Sequence, residues 1–288
     1  MPNDTIFTLG DIKQRLRANR LPFTGITPLE SAAFTFERPA FYAACAIHAG
    51  HRVRPDLLPS LAVSEADRLR EEDPHTERFA ASFPIRIVGR FSRFEFDINR
   101  EKQSAVYQRP DMAWGLEVLK EPLSAADLET AWAKYDEFHG LMDMVVDYLL
   151  RQHAFGVLFD FHSYNYQREH RRPWYDDDKP LINLGTDPVN TARFRPLLDD
   201  LLERFSAIAL DGKPITFGEN IVFKGGHLSR RLSGEHYDQL LVLAIEFKKA
   251  FMDEWSGQVD EAALGALVSQ VAQVTDGFIE KAAGFRLK

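Results

Sequence analysis

The sequence predicts an α/β protein of three layers, αβα, around a mixed central sheet, with residues 1–288 forming a single catalytic domain. Three observations carry this. Short apolar, β-rich runs alternate along the chain with longer segments of helical period. No proline-rich linker or internal repeat divides the 288 residues. Three of the apolar runs, residues 41–48, 156–166 and 239–247, carry a polar side chain near the end: His48, His162 and Glu246. In open α/β sheets, ligands bind beyond the carboxyl ends of the strands, so these three side chains are expected at one crevice.

In chain order, residues 11–19 read as a short polar helix. Pro22, Pro28 and Pro39 make residues 21–38 a loop-rich segment. Residues 41–48 form the first buried strand, residues 57–70 are partly helical, and an acidic turn, Glu71-Glu72-Asp73-Pro74-His75, leads into a short helix over 75–81. Residues 85–88 and 91–98 read as strands, the second with the alternation of a strand that has one solvated face. Ser124 stands three residues before Asp127, close to a capping box, and opens the longest helical pattern, over 124–154. Its stripe of Leu128, Trp132, Tyr135, Phe138, Val145 and Leu149 reads as core.

After the central strand, residues 168–180 read as a charged, aromatic surface loop over the crevice. Residues 181–185 make a short strand or turn. Asp187-Pro188 reads as a helix start, with the helix running to about residue 209. Residues 215–222 lead into 223–231, read as a glycine-bearing loop with basic side chains, and 259–284 form a closing helix.

Composition narrows the function. A net charge of −8 argues against a general nucleic-acid binder, though local arginines can still make a pocket for an anion. The single Cys45 forbids an internal disulfide, suits a reducing compartment, and reads as a packed core thiol. The N-terminus lacks a basic region followed by an apolar one, and no apolar stretch approaches the length of a membrane span. The expectation is a soluble, cytoplasmic protein without a membrane or nucleic-acid partner.

A hydrolytic zinc site needs about three protein ligands and an open position. His48 and His162 supply two, and Glu71, Glu72, Asp73, His51 and His75 are the candidates for the third. A separate carboxylate must move the proton, and Glu246 is the candidate. Planar guanidinium groups bind carboxylates bidentately. Arg100, just past a strand end, and Arg230 and Arg231, beyond Gly225-Gly226, therefore point to a small anionic amide.

These motifs resemble the N-formylglutamate amidohydrolase family, which is related to the zinc carboxypeptidases and their phosphorylase/hydrolase-like fold. Ile47-His48-Ala49-Gly50 is similar to that family's Pro-His-Ser-Gly, and Asp73-Pro-His-Thr-Glu77 to its Asp-rich turn. Asp97-Ile-Asn-Arg100 and Asp160-Phe-His-Ser163 resemble two further motifs, and Gly225-Gly226 to Arg230 a glycine loop with a downstream arginine. The matches keep the family's order from Ile47 to Glu246. His51 stands where the zinc carboxypeptidases carry a ligand Glu, and Asp73 fits the family turn better than Glu72, Glu71 or His51.

The resemblance implies a zinc-dependent amidohydrolase acting on linear amides of N-formylglutamate type. His48, Asp73 and His162 would hold the metal, Glu246 would be the general base, and Asn99, Arg100 and Arg230 would bind the substrate carboxylate. One divalent ion is expected, zinc first; manganese, iron or cobalt also suit such ligands. The alternatives are a zinc carboxypeptidase or cell-wall peptide amidase, or a non-catalytic carboxylate-binding relative.

Overall fold

The computed structural model of the chain describes residues 4–167, 172–176 and 178–285. Helix α1 (Leu9–Arg17) opens on a capping box between Thr8 and Asp11 and buries Ile12 and Leu16. Two strands follow where a loop was expected, β1 (Phe23–Ile26) and β2 (Ala32–Phe36), paired antiparallel. Pro22 and Pro28 flank β1 rather than interrupt it, and Phe23 stacks on Phe36 at 5.0 Å. Strand β3 (Tyr42–Ala46) leads through a turn to α2 (Glu65–Glu71), the short α3 (Glu77–Ala80) and β4 (Ile85–Gly89).

Residues 91–98 are not a strand. They form a buried run of turns, because the polar residues of the alternation are as enclosed as the apolar ones: Ser92, Glu95 and Asp97 are buried along with Phe91, Phe94, Phe96 and Ile98. Each polar side chain has an interior partner. Ser92 donates to Glu72, Glu95 meets Lys134 at 2.6 Å, and Asp97 meets His48 and Arg93, each at 2.7 Å.

The long helix α4 (Ala125–Gln152) is capped by Ser124 as expected, and β5 (Gly156–Tyr164) is buried at every residue. Of the surface loop expected over 168–180, residues 168–171 and 177 lie outside the described residues. Next come β6 (Ile182–Gly185) and α5 (Thr191–Phe205), whose cap is Asn190 and not Asp187. A small hairpin of β7 (Ala209–Leu210) and β8 (Lys213–Pro214) precedes β9 (Phe217–Glu219). Gly226 begins helix α6 (His227–Glu235), so only the first part of the expected glycine loop is loop. Strand β10 (Leu240–Lys248) and helix α7 (Glu261–Gly284) close the chain.

The eight-stranded sheet has the order β1-β2-β4-β3-β5-β10-β6-β9. Its centre, β4, β3, β5 and β10, is parallel, and the antiparallel pairings lie toward the two sides. Alternation along the strands sends side chains to two cores. Val157, Phe159, Phe161, Leu241, Leu243 and Ile245 pack against α3, α5 and α7. Leu158, Leu240, Val242, Ala43 and Cys45 pack against α1, α4 and α6. The same period sends Asp160, His162 and Glu246 to the α4–α6 face at the carboxyl ends of β5 and β10. Helix α7 is long and apolar enough by length and composition to cross a membrane, contrary to the sequence expectation. In this fold its Leu264, Leu267, Val271 and Phe278 are buried in the core it shares with α5 and the sheet.

Candidate metal and amide-binding site

The carboxyl ends of β3, β5 and β10 open into a cavity of about 500 Å³ lined by His48, Asp73, His162 and Glu246. His48 follows β3 by two residues, and its carbonyl accepts from the Asp73 backbone N–H at 3.0 Å, tying the turn after α2 to the strand end. Lys249, just past β10, holds the same turn from the other side. Its buried ammonium donates to the carbonyls of Arg70 and Glu72, at 2.6 and 2.7 Å, and to Asn165 Oδ1 at 3.0 Å.

Three predicted ligand side chains come together. His162 Nδ1 lies 2.9 Å from Asp73 Oδ2, and His48 Nδ1 lies 3.5 Å from the same oxygen. One ligand atom from each of the three lies within 4.8 Å of the others, and all three side chains are buried. On the opposite side of each ring, His48 Nε2 is hydrogen-bonded to Asp97 Oδ1 at 2.7 Å, whereas His162 Nε2 lies 3.1 Å from Asp160 Oδ1 without a hydrogen bond to it. Carboxylates behind imidazoles set ring orientation and raise ligand basicity at metal centres. Two Nδ1 atoms and one carboxylate oxygen converging from three buried side chains are a donor set that fits a divalent transition metal.

The rivals of Asp73 lie elsewhere in the network. His51 Nδ1 pairs with Glu72, whose other oxygen accepts from Ser92. Glu71 lines the cavity but is not part of the cluster. His75 lies outside the cavity lining.

The electrostatics follow from packing four carboxyl groups and two imidazoles together. For Asp73, burial opposes ionisation, but hydrogen bonds from His162 and His48 hold the carboxyl well below its usual range. Asp97 is likewise pulled down against its burial, by Arg93, His48 and Tyr107. His162 is raised well above an ordinary histidine; burial resists this, and Asp160, Glu246 and Asp73 overcome it. Burial pushes Glu246 up to about 7, with His162 pulling the other way.

Arg100, Arg230 and Asn99 all line the cavity. Arg100 lies over the Tyr107 ring at 4.6 Å, with its Nε 3.6 Å from Asp97. Asn99 has a structural task besides: its Oδ1 accepts from the Leu228 N–H at 3.0 Å and so caps α6. Gly226 is required there, since a Cβ would lie 2.1 Å from Asn99 Nδ2. Arg231 turns away to Asp143 on α4, at 2.7 Å.

Sequence reasoning left several residues in or beside the site without a role. Asp160 precedes His162 by two, so strand alternation alone puts both on one face, a signal that was available. Arg93, Trp114 and Lys249 carry no such local signal. Cys45 is buried as expected, its thiol donating to Asp160 Oδ1 at 3.2 Å.

Residues 44–252, which contain every site residue from His48 to Lys249, match the N-formylglutamate amidohydrolase family. The chain belongs to that family. An N-formylglutamate deformylase from Pseudomonas putida is 30% identical over 201 residues, covering 64% of this chain and 71% of that protein. The crystal structure of N-formylglutamate amidohydrolase from Ralstonia eutropha JMP134 superposes with a TM-score of 0.68 at 18% identity, covering 87% of this chain and 97% of that one. A gene product of Agrobacterium tumefaciens gives 0.57, also at 18% identity, covering 83% and 90%. The α/β fold with its mixed central sheet is thus shared with an N-formylglutamate amidohydrolase.

Proposed function

We propose that the chain is a metal-dependent amidohydrolase acting as one catalytic unit, and that it cleaves the amide bond of an N-acyl acidic amino acid such as N-formylglutamate. The observation that carries the reading is the buried group of His48, Asp73 and His162, with Asp97 and Asp160 beside it, sharing a cavity with Glu246, Arg100 and Arg230. Family membership supports the same chemistry.

His48, Asp73 and His162 would hold the ion, zinc being the first choice. When bound, a divalent ion polarises the amide carbonyl and brings water toward ionisation near neutrality. Asp97, hydrogen-bonded to His48 Nε2, keeps that imidazole turned so that its Nδ1 faces inward, and Asp160 puts a negative charge beside the His162 ring. Glu246 takes the proton from the attacking water and hands it to the amide nitrogen, which leaves as the amine of the free amino acid. Arg100 and Arg230 hold the substrate's carboxylates, and Asn99, whose Oδ1 is occupied by α6, offers its NH₂ group.

The test is release of formate and glutamate from N-formyl-L-glutamate by zinc-loaded protein, with N-acetyl and N-benzoyl analogues beside it. Hydrolysis that is lost on chelation and restored by zinc is the expected result. Failure of the loaded protein to hydrolyse any N-acyl acidic amino acid would overturn the reading.

A further inference from the structure

Two large apolar side chains line the cavity while remaining open to solvent: Trp114, 47% exposed, and Phe223, 43% exposed. Scattered exposed apolar residues are ordinary on a protein surface. These two are different, because both border the one cavity that carries the amide chemistry.

Trp114 is also held in place at a conformational cost. Its φ is 55°, in the left-handed region that bulky residues rarely adopt, and Gly115 beside it has φ 90°. Burial does not account for that backbone. The neighbouring Ala113 and Val118 are in the small core beneath, whereas the indole stays at the cavity with the Arg93 guanidinium 4.9 Å from its ring centre and Tyr107 edge-on at 6.1 Å. Phe223 is set against Tyr164, at the end of β5, at 5.8 Å.

A formyl group places only a hydrogen beyond its carbonyl carbon and has no surface to lay against these rings. An acidic amino acid moiety is committed to guanidinium groups at both of its carboxylates. The part of an N-acyl acidic amino acid that can match Trp114 and Phe223 is therefore the acyl group. We propose that these two residues form an acyl subsite, and that the preferred acyl group is apolar and larger than formyl, of aromatic size. This inference rests on the N-acyl amino acid reading above.

The test measures binding and turnover separately. N-formyl-, N-acetyl-, N-butanoyl- and N-benzoyl-L-glutamate are titrated calorimetrically into zinc-loaded Glu246→Gln protein, which keeps the pocket while slowing hydrolysis. The same titrations are run with Trp114→Ala, Trp114→Asn or Phe223→Ala added; asparagine tolerates the left-handed backbone and so controls for loop distortion. The expected result is affinity rising along the series, on the order of tenfold from formyl to benzoyl, with the rise flattened in all three variants while the formyl value stays within about twofold. Benzoyl binding no tighter than formyl, no binding of the benzoyl compound, or a rise that survives the substitutions would overturn the subsite. Turnover of the same series by the wild-type protein judges the hydrolase reading on its own: a graded affinity without turnover keeps the subsite and discards the hydrolase.

Discussion

Glu246 and His162 are register partners: the parallel pairing of β10 with β5 sets their Cα atoms side by side, and strand alternation sends both side chains to the α4–α6 face. A slip of one residue would turn either strand's set to the opposite core. The juxtaposition is thus built into the centre of the sheet and does not depend on a loop.

If Glu246 moves the proton, Glu246→Gln should keep metal content and fold while cutting kcat by about 10²–10⁴-fold. Steady-state kinetics with metal analysis on the same preparation checks this. Unchanged kcat would remove Glu246 from the mechanism.

Asp97 and Asp160 stand behind the two histidines at 2.7 and 3.1 Å. Asp97→Asn and Asp160→Asn should each weaken zinc affinity by about 10–100-fold, as measured by competition with a chromophoric chelator. Wild-type affinity in both would mean that the carboxylates serve the fold and not the ion.

Lys249 is enclosed and donates to three oxygens, two on the segment leading into Asp73 and one on Asn165, just past β5. Lys249→Met leaves those oxygens without a donor and should cost about 3 kcal/mol in urea unfolding. Metal affinity should fall with it, because the turn that carries Asp73 loses its anchor.

His139 props the turn that carries Asn99 and Arg100, its Nε2 lying 3.1 Å from the Ile98 carbonyl oxygen, and Tyr135 donates to the Arg100 carbonyl at 2.8 Å. Burial, with Arg231 and His227 adding, lowers His139 from 6.5 to about 3. A folded-state value below the unfolded one means that the stability is complete above pH 6.5 and is lost as pH falls from there toward 3. Between pH 7.5 and 5 the wild type should lose about 2 kcal/mol from this residue. His139→Gln should lack that component, so its stability deficit narrows on acidification. Parallel pH profiles for the two proteins would contradict the assignment.

The parts of the fold legible in the sequence were those with a strong period. The runs through β3, β5 and β10 are long and apolar, so each strand and its terminal polar residue could be read directly. Residues 91–98 alternate like a strand, yet Lys134 on α4 and His48 beyond β3 supply the partners that let Glu95 and Asp97 be buried. No local pattern announces partners that distant. Residues 21–38 hid a hairpin because prolines at strand ends look the same in sequence as prolines in a loop. Helix α6 was missed, its first residues read as loop, for a related reason: Gly226 reads as a loop residue until Asn99, more than a hundred positions earlier, is known to cap the helix. The metal-ligand candidates could be named, but the choice of Asp73 over Glu72 depended on which side of the turn faces the crevice, a matter of the contacts Lys249 and His48 make with that turn.

The central claim is that His48, Asp73 and His162 hold a catalytic ion. Elemental mass spectrometry on purified wild-type protein and His162→Ala, prepared in parallel with zinc supplied, tests it most directly. The account predicts about one zinc per chain in the wild type and its loss in the variant. A wild type that holds no metal, or a variant that holds as much as the wild type, would contradict it.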